Sequence, residues 1–201
     1  MVNVLDGLVR WLVGNQCVVH EQWAFEKFHG RGVGLVAVED LPVGKMLFEI
    51  HHDVLVLGNR FDLTEWLVRE RVRATECREQ DCAGRDWGPF VDSFPTTRDR
   101  LPVQSIFVKA LELEDPRDAE DSLVGQAIEF CPKWIEELPG GIGRWLMALG
   151  VVSARMHAVW IRDAFGDWVV KTALVPLADL LNGCLKSQGC VNVQCETRKS
   201  D

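Results

Sequence analysis

An α+β domain of small twisted sheets with a helical insert is the fold class the sequence predicts, and three observations predict it. Strand-type runs fill the stretch from Val33 to Leu57 and return at Asp167 to Val175. Between them the apolar period turns helical, most clearly in the stripe Ile142, Trp145, Leu146, Leu149, Val152 and Met156. This order lacks the regular strand–helix alternation of a doubly wound nucleotide fold. With 201 residues, 47% of them hydrophobic, the chain is long enough to bury one sizeable core. The expected organisation is one structural domain in three stretches: 1–57 with a first helix and the first strands, 58–167 as the helical insert, and 168–201 with the returning strand.

Each element has a local reason. Leu5, Leu8, Trp11 and Leu12 fall at helical spacing, and Gly14 is the expected stop of a first helix. The loop His29 to Gly34 (HGRGVG) leads into strand-type sequence from Val33. Pro42 to Gly44 supplies turn chemistry between two β-rich runs, which predicts a hairpin or adjacent strands. Asp62 and Glu65 suggest a capping box, with Leu63, Trp66 and Leu67 facing inward. Residues 77 to 122 are polar and rich in turn residues, so loops and short helices are expected there. The sheets should draw on residues 18 to 57 and 168 to 195.

Composition narrows the function classes. A net charge of −8 argues against general nucleic-acid binding and suits basic substrates, although ordinary solubility explains it as well. Seven cysteines, an odd and scattered count, point to reduced thiols in an intracellular protein, cytoplasmic or nuclear. Asp6 and Arg10 interrupt the N-terminal apolar run, so neither a signal peptide nor a membrane span is expected. Cys184, Cys190 and Cys195, like the pair Cys77 and Cys82, lie at spacings that make a poor zinc site, and no metal is expected.

Two motifs carry chemistry. Gly30, Gly32 and Gly34 form a GxGxG that precedes a strand rather than a helix, so no pyrophosphate can sit on a helix N-terminus there. Alone it reads as a tight turn entering a strand. The second motif is Ala173 to Asn182, ALVPLADLLN. Pro176 has no N–H to give a sheet ladder and must end the strand, and the turn that follows presents Asp179 and Asn182 from roughly one face. Asp179 is suited to bonding local backbone N–H groups and orienting that turn.

Five blocks appear in a familiar order: LVRWL (Leu8 to Leu12), GRGVGLVAVEDLPVGKMLFEI (Gly30 to Ile50), WGPFVDSFP (Trp87 to Pro95), the helix Trp145 to His157, and VPLADLLN. Together they resemble the SET-domain protein methyltransferases, in the branch related to the Rubisco large-subunit lysine methyltransferase. The resemblance spans most of the chain and implies a SET-type fold, incomplete at its C-terminal end. It also implies S-adenosylmethionine as cofactor. By resemblance, Arg31, Gly32 and Val33 lay main-chain groups against that cofactor, where a Cβ at position 32 would block the approach. Arg155 of Ser153-Ala154-Arg155-Met156-His157 becomes a cation beside the methionyl carboxylate or a brace for the turn. Asn182 corresponds to the family's cofactor-contacting Asn, and Gly183 stands where the family has His. His157 stands where the family has an aromatic ring, and its own reading is structural.

The implied reaction is methyl transfer to a protein side-chain nitrogen, lysine first and histidine second. It needs in-line geometry and a neutral amine. The family places a Tyr hydroxyl near the reacting methyl, on a late strand. These 201 residues contain no Tyr, so no catalytic residue is assigned and the chain alone is expected to be inactive. Two readings follow: a truncated methyltransferase, or a non-catalytic SET-like interaction module. The sheet edge that an early end would leave unpaired favours truncation. The expected partner is a protein with an exposed lysine or histidine, with neither nucleic acid nor membrane. Oligomeric state is not legible.

Overall fold

The computed structural model describes residues 2–28, 32–42, 44–76, 86–96 and 107–180, with backbone alone for Val2, Asn3, Lys27, Phe28, Gly32, Glu76 and Asp179. The fold is mixed helix and small sheets, an α+β arrangement. The chain divides into two compact units: 1–57 with 157–201, which is β-rich, and 58–156, which is helical. Among the described residues, no helix is long and apolar enough to cross a membrane.

The β-rich unit begins with helix α1, Val2–Gly14, which buries Leu5, Leu8 and Leu12. It ends at Gly14 as expected, and the residue that closes it lies two further on. Gln16 takes the left-handed conformation (φ 65°), its N–H donates to Val13 O (3.1 Å), and the Cys17 N–H donates to Leu12 O (3.0 Å). That pair of bonds is the Schellman pattern, with Gln16 where glycine is usual.

Three small antiparallel sheets follow. Strand β1 (Val18–Val19) pairs with β4 (Phe48–Glu49), with Val19 opposite Phe48. Strand β2 (Trp23–Phe28) pairs with β3 (Gly32–Ala37) from Trp23 opposite Ala37 to Phe28 opposite Gly32. In the third sheet, β7 (Trp168–Leu174) lies between β5 (Val56–Leu57) and β6 (Met156–Arg162). The turn expected at Pro42 to Gly44 does form, with the Lys45 N–H donating to Pro42 O (3.1 Å). It does not make a hairpin, because β3 and β4 belong to different sheets. Each has found its partner earlier in the chain. The turn from β6 to β7 is tied by Asp163, whose Oδ1 accepts from the N–H groups of Phe165 and Asp167 at 2.9 Å each, with Gly166 left-handed (φ 87°). Strand β6 falls within the stretch read as helical insert.

In the helical unit, α2 (Arg60–Glu76) packs against α7 (Gly141–Arg155). Asn59 caps α2: its Oδ1 accepts from Phe61 N (2.8 Å) and Asp62 N (3.1 Å), and Asp62 Oδ2 accepts in return from Asn59 N (3.2 Å). The capping box is therefore Asn59–Asp62, one turn earlier than expected. Glu65 instead accepts from Arg69 and from the Trp134 indole N–H. Short helices α3 (Gly88–Val91), α4 (Phe107–Ala110), α5 (Ser122–Glu129) and α6 (Lys133–Glu136) lie between these two in sequence. The α7 stripe goes inward as its period requires: Trp145, Leu146, Leu149 and Val152 are fully buried or nearly so. The Trp145 indole N–H donates to Ala127 O at 2.7 Å, satisfying the one polar atom of that ring. Trp66, Trp87, Phe90 and Phe94 form a contiguous chain of aromatic rings in this unit.

Candidate functional site

The glycine strand and the turn after β7 meet in the β-rich unit. Strand β3, which carries Gly32 and Val33, packs against the 3₁₀ turn Ala178–Leu180, which carries Asp179. Gly34 of the same strand is buried. Among the described residues, β2 is the sheet partner of β3, so the far edge of β3 carries main-chain N–H and C=O groups that this two-stranded sheet does not use. Such an edge offers a ligand donors and acceptors at fixed spacing without any side chain.

The turn is built from apolar residues in an unusual conformation. Strand β7 ends at Leu174, and Pro176 then withholds an N–H from the ladder, as the sequence requires. Leu177 follows with φ 67° while fully buried. A bulky residue in the left-handed region is a genuine outlier, held there only because its surroundings over-determine it. Leu180 closes the turn, donating its N–H to Leu177 O at 2.9 Å. Pro176, Leu177, Ala178 and Leu180 are all buried, which fixes the backbone under Asp179 from both sides. Nothing in the local sequence announces the left-handed Leu, since propensity points the other way.

Arg155 is the last residue of α7, in the helical unit. Its guanidinium lies over the Phe94 ring, 5.7 Å from the centroid. Burial pushes its pKa down to about 10, so it stays charged at neutral pH but has lost much of its water. Two residues earlier, the buried Ser153 Oγ has no hydrogen-bond partner among the described residues. In the β-rich unit, the half-buried His157 likewise has an unpartnered Nε2, and desolvation lowers its pKa, which keeps the ring neutral at pH 7. Orphaned buried polar atoms are uncommon and ask for an explanation.

Arg31, Asn182 and Gly183 lie outside the described residues, as do Cys77, Cys82, Cys184, Cys190 and Cys195. Cys17 and Cys131 are buried, and burial together with Glu136 raises the Cys131 pKa to about 11, which makes it inert as a nucleophile. The helical unit also has a cleft of about 400 Å³ lined by Arg71, Arg144, Thr75 and Thr96 over Val68 and Met147. Arg71 donates to Pro95 O at 2.6 Å and is largely desolvated, which lowers its pKa to about 10 against the pull of Asp92. Among the described residues, none expected at the cofactor site lines that cleft.

No family model matches the chain, and comparison with curated proteins finds no similar sequence.

Proposed function

We propose that the chain is a SET-type protein that binds S-adenosylmethionine and belongs to the chemistry of protein lysine methylation. The observation that carries this reading is the contact between β3 and the 3₁₀ turn after β7. It sets strand β3, which carries Gly32 and Val33, against the turn bearing Asp179, in keeping with the neighbourhood that the family resemblance implies.

When bound, S-adenosylmethionine would supply an electrophilic methyl group. The chain's own residues would do the holding. Main-chain groups of Gly32 and Val33 would line the cofactor, and the Asn182 amide would donate and accept on the turn that Asp179 orients. Transfer itself needs a neutral lysine amine aligned with the sulfur–methyl bond, and no residue of this chain is assigned to that step.

A specific observation favours a second reading, a non-catalytic interaction module: the 201 residues contain no Tyr, the residue type the family sets near the reacting methyl. One pair of assays addresses both. Calorimetric titration with S-adenosylmethionine should give saturable binding, and absence of heat at millimolar ligand would sink the cofactor reading. Labelled methyl transfer to lysine-bearing protein then separates enzyme from module, since binding without incorporation selects the module.

A further inference from the structure

Away from β3 and the turn, in the same β-rich unit, three consecutive side chains converge. His51 precedes a single 3₁₀ turn, His52–Val54, and caps it: its Nδ1 accepts from the Asp53 N–H at 3.4 Å. That bond assigns the Nδ1 lone pair to the inner side of the turn, facing Asp53. His51 Nδ1 stands 3.6 Å from Asp53 Oδ2, and His52 Nε2 stands 3.1 Å from Asp53 Oδ1. The imidazole centroids are 4.3 Å apart, and one ligand atom from each residue can be chosen so that all three lie within 4.8 Å of one another.

We propose that His51, His52 and Asp53 form a solvent-open site for a first-row divalent cation, zinc foremost. Ligand atoms bound at about 2.0–2.1 Å are about 3.0 Å apart at octahedral angles and about 3.4 Å apart at tetrahedral ones. The His52 Nε2–Asp53 Oδ1 separation of 3.1 Å lies within that range, and His51 Nδ1, 3.6 Å from Asp53 Oδ2, would join by giving up its long bond from the Asp53 N–H to the metal. Two imidazoles with one carboxylate prefer zinc, nickel or copper to magnesium or calcium, which favour all-oxygen sets.

The backbone beneath the triplet is already fixed. The His51 N–H donates to the buried Cys17 Sγ (3.3 Å), Val54 N–H to His51 O (3.1 Å) and Leu55 N–H to His52 O (3.1 Å), while Val54 is wholly buried. Ordering the ligands therefore costs side-chain rotamers and little backbone entropy. With His52 76% and Asp53 54% exposed at the side chain, water reaches the remaining coordination positions. Three protein ligands with open positions describe an exchangeable site rather than a structural one.

The test is titration of the full chain with Zn²⁺, and separately with paramagnetic Ni²⁺ while amide signals are followed by NMR. Stoichiometric Ni²⁺ should broaden residues 50–55 first, and Zn²⁺ should bind one equivalent there with micromolar affinity. His52→Gln, at an exposed position outside the cap, should weaken binding at this site at least tenfold, and Asp53→Asn should do the same. Broadening centred on the cysteines, or unchanged affinity in both variants, would overturn the assignment.

Discussion

Leu180 donates its backbone N–H to the carbonyl of Leu177 across 2.9 Å, and Leu177 meets that bond from the left-handed region at φ 67°. The bond closes the turn that follows Pro176, and the side chain that holds the strained backbone in place is itself fully buried. Conformational strain of about 1–3 kcal/mol is thus kept at a position beside the glycine strand.

That strain makes a reversed mutational order. Leu177→Ala and Leu177→Gly both empty the same buried volume, at a cost of about 2–5 kcal/mol. In ordinary backbone, glycine would be the worse of the two. Here glycine relieves the left-handed penalty, so Leu177→Gly should be more stable than Leu177→Ala by about 1 kcal/mol. Urea denaturation of both variants decides it. Alanine coming out the more stable would show that the turn is not held in this conformation.

A second expectation concerns the start of α7. A Cβ built on Gly141 overlaps the carbonyl oxygen of Ile135 and closes on Glu136, both of them backbone groups that cannot rotate away. Gly141→Ala should therefore destabilise by about 3 kcal/mol or more, among the largest effects a single methyl can have. Gly125 of α5 has nothing within 4 Å of its virtual Cβ, so Gly125→Ala should stabilise by about 0.5–1 kcal/mol. Thermal melts of the pair read the contrast directly.

Histidine 157 predicts a pH dependence. Desolvation lowers its pKa in the folded chain, so the unfolded chain takes up a proton first as the pH falls. Its contribution to stability is complete above the unfolded value of about 6.5 and is lost progressively below it. His157→Phe removes that titration and should flatten the fall in Tm between about pH 7 and pH 5. Parallel wild-type and variant curves would mean that the ring is solvated.

What the sequence makes legible follows from range. Helices α1 and α7 are periodic over three or more turns, and Leu5, Leu8, Leu12, Trp145 and Leu149 face inward as their spacing requires. The end of β7 before Pro176 is equally local. Pairing is not local. Strands β1, β4 and β5 are two residues each, too short to leave a pattern, and their partners are set by distant chain. Hence the Pro42–Gly44 turn was recognisable while the strands beside it were joined wrongly. Caps fail for a subtler reason: Asn59 and Asp62 satisfy the same chemistry as Asp62 and Glu65, one turn apart. At the candidate site, Gly32, Val33 and Asp179 were nameable from motif. Leu177 was not, because its conformation opposes its own propensity, and only a packed surrounding can impose it.

The central claim is that β3 and the turn after β7 form one side of a cofactor pocket. Its most direct test is an amide-detected NMR titration of the whole chain with S-adenosylmethionine. The account predicts saturable shifts concentrated in Gly32–Leu35 and in Leu177–Asn182, with Asn182→Ala weakening affinity by about 1–3 kcal/mol. Shifts confined to other regions, or none at millimolar ligand, would contradict it.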